Sequence, residues 1–137
     1  MTEFKGTMHI AASGLKAQGD RLRIVAQNLA NAESTAVEPG GEPYRRKTIS
    51  FQNVLDRKLG LETVEVARIG TDPSAFTREY DPSHPAADEN GYLLRPNVNS
   101  LVEVMDMREA QRSYEANLKV IELARNMAGK TLELLQG

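Results

Sequence analysis

The residues best suited to acid–base or metal chemistry are the two histidines, His9 and His84. His84 lies in Asp81-Pro82-Ser83-His84-Pro85, with Asp88 close behind it. A metal site or a general base needs several such groups to converge on one point. Asp beside Pro in a short segment is instead typical of a solvated turn, in which the carboxylate accepts backbone amides. We therefore predict a turn at His84 without a metal, and no catalytic role for His9.

Other motifs that carry chemistry are missing or incomplete. The sequence has no cysteine, which excludes disulfides, thiolate catalysis and Cys-based zinc sites. It contains no G-x-S-x-G nucleophile motif, and Gly40-Gly41 lacks the Lys-Ser/Thr of a phosphate loop. The basic cluster Arg45-Arg46-Lys47 lies in a chain of net charge −2, so a solvated face or pairing with a neighbour's acids is favoured over binding to an acidic polymer. The sequence predicts no enzyme, no cofactor and no nucleic-acid partner.

Length and hydropathy limit the architecture. The 137 residues suffice for one modest domain. No apolar run is long enough to cross a bilayer, so no membrane span is predicted. The first dozen residues lack the continuous apolar segment of a signal peptide, and we expect any export to proceed without a cleaved signal. All six prolines lie between Pro39 and Pro96, which predicts long helices only outside that segment.

The first helix is predicted over residues 7–32. Its leucines recur every seven residues, with two further positions between them, which places one narrow stripe along the helix. Gly14 and Gly19 each weaken the helix by about 1 kcal/mol relative to Ala. They either permit the close approach of another helix, give the helix some pliancy, or are simply tolerated. The predicted stripe comprises Leu15, Gln18, Leu22, Val25 and Leu29.

The second helix is predicted from Ser100 to the last turn of the chain. Ser100 and Glu103 have the spacing of a capping box, with Ser100 as N-cap. The helix spans roughly 36 residues, or about 54 Å. Its apolar stripe follows a 3,4 spacing that two leucines widen. The stripe comprises Met107, Ala110, Tyr114, Asn117, Leu118, Ile121, Ala124, Ala128, Thr131, Leu132 and Leu135.

The middle segment is predicted to be extended and rich in turns. Alternating side chains favour short strands at Ile49 and Phe51, at Val64 and Val66, and from Phe76 to Tyr80. A short helix over residues 52–59 is an alternative to a strand there. Asn90-Gly91 predicts a type I′ turn.

These elements predict a mainly α fold with two long terminal helices forming a coiled-coil-like pair and a small extended or β-rich middle. The expected segments are residues 1–35, 36–98 and 99–137. Apolar stripes of this kind arise both in an antiparallel intramolecular hairpin and in an intermolecular bundle. The second helix is the longer one, so part of its stripe lacks an internal partner, which favours the bundle.

Several motifs resemble a known family. Ser13-Gly14-Leu15-Lys16-Ala17-Gln18, Asn28-Leu29-Ala30-Asn31-Ala32 and Ser113-Tyr114-Glu115-Ala116-Asn117 resemble the terminal signatures of bacterial flagellar basal-body rod proteins. The middle motifs Asp81-Pro82-Ser83-His84-Pro85 and Pro96-Asn97-Val98-Asn99 are similar to those of the proximal-rod members. The wider family follows its first helix with Ala-Asn-x-x-Thr-x-Gly-Tyr, whereas Ala30-Asn31 here leads into a Gly-Pro loop, which favours the proximal-rod type.

The resemblance implies a structural subunit of the rod that transmits torque. Its partners would be copies of itself, other rod proteins and the flagellar export apparatus, and its location would be the basal body. The stripe residues would form the contacts between subunits, and we expect the terminal regions of the free chain to be poorly ordered until assembly. Two other classes of protein compete with this interpretation: a helical-hairpin adaptor or chaperone, and a cell-wall hydrolase, which would need paired carboxylates in a cleft.

Overall fold

The computed structural model describes residues 2–137. Along the chain, one long helix precedes four strands and a second long helix follows them. These are α1 (Thr2–Ala30), β1 (Lys47–Asp56), β2 (Leu61–Thr71), β3 (Thr77–Tyr80), β4 (Tyr92–Arg95) and α2 (Ser100–Gln136). Strands β1 and β2 form one two-stranded sheet, and β3 and β4 form another. The predicted mainly α fold with a small β-containing middle is confirmed.

The chain divides into two compact units. Unit 1 contains Ser50–Arg68, Arg108–Gly137 and the described part of Met1–Leu22. Unit 2 contains Arg23–Ile49 and Ile69–Met107. Each unit therefore draws on both long helices and on the middle segment.

Helix α1 begins before the predicted start at residue 7 and ends two residues before the predicted end. Its last turn is closed by bonds from the Asn31 amide to the carbonyls of Gln27 and Asn28. The Asn31 side chain also donates to the Gln27 carbonyl oxygen, at 2.8 Å. These bonds satisfy carbonyl groups that a helix end would otherwise leave without a partner.

The predicted capping box at the start of α2 is wrong. Asn99, not Ser100, caps the helix, because Asn99 Oδ1 accepts the amides of Leu101 and Val102 at 3.1 and 3.4 Å. The Glu103 carboxylate does not turn back to the N-cap. It is fully buried and binds the guanidinium of Arg46 instead. A charged partner in the interior outweighs the local backbone amide.

A strand occupies the segment for which a short helix was the alternative. Residues 47–56 form β1, and the helical alternative over residues 52–59 is therefore wrong. Cross-strand contacts explain the outcome: Gln52 Nε2 donates to Glu65 Oε1 at 3.1 Å, and the Thr63 hydroxyl donates to the Val54 carbonyl at 3.3 Å. Pairing with β2 provides hydrogen-bond partners for the backbone of β1, whereas a helix of about two turns would leave most of its N–H and C=O groups unpaired.

The sheet of unit 2 is antiparallel, with Thr77 opposite Arg95 and Tyr80 opposite Tyr92. The turn at Asn90-Gly91 is not of type I′. Only Gly91 has a positive φ, of 86°, whereas type I′ requires one at Asn90 as well. Asp88 Oδ1 accepts the amides of Asn90 and Tyr92, and this local bond holds the turn. Leu93 of β4 is 2% exposed and forms part of the core of unit 2.

Within unit 1, α1 and α2 approach closely at Gly14. A Cβ atom at this position would lie 2.9 Å from Asn117 Nδ2, so a larger residue would have to displace the Asn117 side chain. At Gly19 the nearest atom, of Tyr114, is 4.0 Å away, which an alanine would tolerate. Arg21 meets Glu109 further along, at 3.5 Å. The two helices thus run in opposite directions in this unit.

Candidate assembly surface

Helix α2 carries most of the large apolar side chains that the chain leaves exposed. On α2 the most exposed of these side chains are Leu134, Leu135 and Leu101, at 83%, 77% and 71%. The complete set on α2 comprises Leu101, Val102, Val104, Met105, Leu118, Val120, Leu123, Met127, Leu132, Leu134 and Leu135. Exposed apolar side chains in this number are typical of a site of protein–protein contact.

The predicted stripe residues divide into three groups. Val25, Ala110 and Ala124 are buried within the chain, with Ala110 at 0%. Leu118, Leu132 and Leu135 are exposed. The others are half-buried, namely Leu15, Gln18, Leu22, Leu29, Met107, Tyr114, Asn117, Ile121, Ala128 and Thr131. Which of them contact a neighbouring subunit stays a prediction.

Several exposed residues lie outside the predicted stripe. Leu101 and Met105 are four residues apart, and so are Leu123 and Met127, with Leu134 seven residues further on. Residues at these spacings share one face of a helix. The sequence contains this second pattern, but the 3,4 stripe is longer and gives the stronger signal.

A groove of about 240 Å³ opens between the helices of unit 1. Its walls are apolar apart from Glu3 and Thr7, and they include Phe4 of α1 and Val120, Leu123, Ala124 and Met127 of α2. Leu123 and Met127 therefore contribute both to the groove and to the exposed face of α2. A side chain of a neighbouring helix could insert here as a knob into a hole.

A buried polar network centres on Asn28 in unit 2. Asn28 is 1% exposed and uses its full hydrogen-bonding capacity. Its Nδ2 donates to the Lys47 carbonyl at 2.9 Å and to Glu103 Oε2 at 3.4 Å. Its Oδ1 accepts the Lys47 amide at 2.9 Å and the Tyr44 hydroxyl at 2.7 Å. Asn28 thus joins α1, the first residue of β1 and α2.

Arg46 is the cation of this network. It binds Glu103 directly and lies 3.6 Å from both Asp72 and Asp106. Burial alone would lower the pKa of Arg46, but the hydrogen bond to Glu103 and the charges of the three carboxylates raise it above the ordinary value. Burial, and then the charge of Glu103, raise the pKa of Tyr44. Both residues therefore keep their protons at physiological pH, and the network stays intact.

All three residues of the basic cluster, Arg45-Arg46-Lys47, have hydrogen-bond partners within the described chain. Arg45 Nη1 donates to the carbonyls of Asp72 and Ser74 at 2.8 and 3.0 Å, and its guanidinium stacks over Phe76 at 4.2 Å. Lys47 Nζ donates to Gln27 Oε1 at 3.1 Å. Of the three residues, Arg46 is the one that pairs with carboxylates, whereas Arg45 and Lys47 bind carbonyl and amide oxygens.

The remaining predicted site residues differ in their contacts and exposure. Ser13 Oγ donates to the Ile10 carbonyl at 2.7 Å and accepts the Val64 amide at 3.2 Å, which joins α1 to β2. Ser113 is half-buried and Glu115 is exposed. Gln18 Oε1 is a buried acceptor without a hydrogen-bond partner among the described residues.

The two histidines lie in different surroundings. His84 Nδ1 accepts the Ala86 amide at 3.0 Å, and the His84 amide bonds the Asp81 carbonyl at 3.1 Å, so the segment is the predicted turn. His9 Nε2 lies 3.5 Å from Asp56 Oδ2 at the end of β1. Within residues 2–137, no group of His, Asp and Glu has the arrangement of a metal site. Neither of the described helices is long and apolar enough to cross a membrane.

Comparison with known proteins identifies the family. A family model described as flagellar basal body rod FlgEFG protein C-terminal matches residues 89–134, which include nearly all of α2. The flagellar basal-body rod protein FlgC of Agrobacterium fabrum is 51% identical over 136 residues, covering 99% of this chain and 98% of the relative. The chain belongs to the FlgC family of flagellar basal-body rod proteins.

Two further FlgC proteins match nearly the whole chain. The FlgC protein of Salmonella typhimurium is 42% identical, covering 93% of this chain and 94% of the relative. The FlgC protein of Bacillus subtilis is 37% identical, covering 98% of this chain and 99% of the relative. Because these matches include the middle segment as well as the helices, the whole chain is built as a FlgC-type protein.

Proposed function

We propose that this chain is a structural subunit of the proximal rod of the bacterial flagellar basal body and transmits torque through its packed terminal helices. The observation that carries the proposal is the exposed apolar face of α2, since a subunit that functioned alone would not leave Leu123, Leu134 and Leu135 in water. Its membership of the FlgC family supports the same function. An adaptor or chaperone finds no support among the relatives.

In this proposal the helices of neighbouring subunits cover the exposed face. The partners are copies of this chain and other rod proteins. The terminal segments, residues 1–35 and 99–137, form coiled-coil-like contacts, and residues 36–98 lie outside them. Full burial of one leucine side chain contributes about 2 kcal/mol, so several of them resist sliding under torque.

The route to the basal body follows from the same proposal. The chain is exported by the flagellar apparatus without loss of a signal peptide and joins the part of the rod that crosses the periplasm. No catalytic activity is proposed, in keeping with relatives that are named as basal-body rod proteins.

A single substitution on the exposed face tests the proposal. Leu123 is 59% exposed, so Leu123→Asp should leave the fold intact while costing each subunit contact about 2 kcal/mol, or roughly 30-fold in its equilibrium constant. The expected result is loss of the variant from purified basal bodies and loss of motility, with normal cellular levels of the protein. Asn126→Asp is the matched control, since it adds the same charge three residues away without removing apolar surface.

Two outcomes would overturn the proposal. One is the absence of the wild-type chain from basal bodies purified from motile cells. The other is normal motility and normal incorporation of the Leu123→Asp variant, since the exposed face would then carry no contact.

A further inference from the structure

The turn between β1 and β2 is an ordered, exposed and cationic surface in unit 1. This basic turn, residues 57–60, contains Arg57, Lys58 and Leu59, all of them exposed. Asp56 Oδ1 accepts the amides of Lys58 and Leu59 at 3.0 and 3.3 Å, and the Gly60 amide bonds the Asp56 carbonyl at 2.8 Å. Gly60 has the positive φ, 66°, that the turn requires. These bonds order the backbone of the turn, from which the two cationic side chains extend into solvent.

The charges of the basic turn have no partner within the described chain. Arg57 and Lys58 form no ion pair among residues 2–137. The carboxylate of Asp56 is engaged within the turn and beside His9, and the next acid, Glu62, lies past the turn on β2. Leu59 is 51% exposed between these charges. The turn thus presents an apolar side chain together with two positive charges.

A surface of the opposite charge lies in unit 2, on the loop that follows α1. This acidic loop, residues 36–42, contains Glu38 and Glu42, and no Lys or Arg occurs between Asn31 and Tyr44. Val37 is 101% exposed and touches nothing that shields it from water. The loop is nevertheless held in place, because the Gly40 amide bonds the Ala86 carbonyl at 3.1 Å and the Gly41 amide bonds the Glu38 carbonyl at 3.0 Å.

The two surfaces are complementary in charge and in apolar character. We propose that the basic turn of one copy of this chain docks on the acidic loop of a neighbouring copy. Leu59 packs against Val37, while Arg57 and Lys58 face Glu38 and Glu42. Exposed ion pairs alone contribute little, but the apolar contact excludes water from them, and the opposite charges fix the orientation.

The proposed contact has a consequence for assembly. It joins two different surfaces and is therefore heterologous. Each copy carries both the basic turn and the acidic loop. Contacts of this kind extend from copy to copy as a ring or an open helix. The inference rests on the proposed function as a rod subunit, and it names one contact that copies of the chain make outside the long helices.

Cysteine cross-linking tests the contact directly, because the chain has no cysteine of its own. Val37→Cys and Leu59→Cys chains carrying different tags are expressed together in cells that lack the wild-type chain. Basal bodies are purified and oxidised mildly. A disulfide forms only where Cα atoms approach within about 7 Å. The expected result is a shift of both tags into one dimer band, which an intramolecular contact could not produce.

Ser50→Cys paired with Val37→Cys is the matched control. Ser50 is exposed on β1, and at about 3.3 Å per residue it lies roughly 20 Å along the strand from Asp56. This pair should remain monomeric. The inference is overturned if both test variants enter basal bodies without forming the mixed dimer, or if the control forms as much of it. Absence of the wild-type chain from basal bodies would instead overturn the proposed function.

A charge exchange provides a second test, should either cysteine variant fail to assemble. Arg57→Glu with Lys58→Glu, and separately Glu38→Lys with Glu42→Lys, should each reduce motility. All four changes in one chain should restore it, because the charges are then opposite again. Failure of the fourfold variant to exceed both double variants would overturn the contact.

Discussion

Asn28 Nδ2 lies 3.4 Å from Glu103 Oε2, and the two side chains are 1% and 0% exposed. This pair joins the end of α1 to the start of α2 inside unit 2. Buried polar groups are costly unless every donor and acceptor is satisfied. Here Arg46 takes the other carboxylate oxygen, and Lys47 and Tyr44 complete the bonding of Asn28. The interior of unit 2 is therefore specified by polar geometry as much as by apolar packing.

Replacing Asn28 should destabilise unit 2 strongly. Asn28→Ala leaves the amide and carbonyl of Lys47 and the Tyr44 hydroxyl without partners, and we expect a loss of about 3 kcal/mol in the free energy of unfolding. Urea unfolding followed by circular dichroism measures the change. Asn31→Ala removes one bond at the exposed end of the same helix and serves as control, with an expected loss of under about 1 kcal/mol. Equal losses in the two variants would contradict the role of Asn28.

The isosteric variant Asn28→Asp makes a pH-dependent prediction. It places a second carboxyl beside the buried Glu103, and two adjacent carboxyls raise the pKa of one of them. A carboxyl whose pKa is raised in the folded state lowers the free energy of unfolding at pH values above its unfolded pKa of about 3.9. This loss of stability becomes smaller as the pH falls towards about 3.9. The deficit of the variant relative to the native chain should therefore shrink from pH 7 to pH 5. Urea midpoints at the two pH values give the comparison, and a constant deficit would contradict the prediction.

Gly14 and Gly129 should respond to alanine in opposite directions. In a helix interior, alanine is more stabilising than glycine by about 1 kcal/mol. At Gly129 nothing lies within 4 Å of the added Cβ, so Gly129→Ala should raise the midpoint of urea unfolding. At Gly14 the Cβ would meet Asn117 at 2.9 Å, and overpacking of this kind costs about 1–3 kcal/mol. Gly14→Ala should therefore lower the midpoint, and adding Asn117→Ala should recover it. A gain from Gly14→Ala alone would contradict the close approach.

Acid should weaken unit 2 through Asp72. The backbone amide of Ser74, then its side chain and Arg46, hold the pKa of the Asp72 carboxyl below its ordinary value of 3.8. A carboxyl whose pKa is lowered in the folded state stabilises the fold at pH values above its unfolded-state pKa. This stabilisation is lost as the pH falls through its folded-state pKa. The native chain should thus lose stability below about pH 4. Asp72→Asn should be less stable at pH 6 and should show a smaller further loss on acidification. Urea midpoints from pH 6 to pH 3 test this.

The sequence predicted the elements that depend on local pattern. The 3,4 spacing and the absence of proline after Pro96 located α2, and the alternation around Ile49 and Val64 located β1 and β2. These signals depend on neighbours within a few residues. For the same reason the number of long helices and the extended middle segment were correct.

Features that depend on distant partners could not be predicted. Glu103 has the spacing of a capping residue, but its carboxylate binds Arg46, 57 residues away. Asn28 bonds Lys47 across 19 residues, and nothing in the local pattern of either residue indicates the other. The β1 segment resembles a short helix until its pairing with β2 is known. For the assembly surface, periodicity identified the stripe, but it could not separate Ala110, which the chain itself covers, from Leu118, which it leaves exposed.

The end of α2 should be ordered by assembly rather than by the free chain. Leu132, Leu134 and Leu135 are exposed, and few contacts oppose local opening there. Hydrogen exchange on the purified chain should therefore show weak protection over residues 130–136 and stronger protection around Ala110, which is 0% exposed. In isolated basal bodies the same terminal residues should become protected, because neighbouring helices cover them. Strong protection throughout residues 101–135 of the free chain would show that α2 needs no partner, and the assembly role of its exposed face would then lose its physical basis.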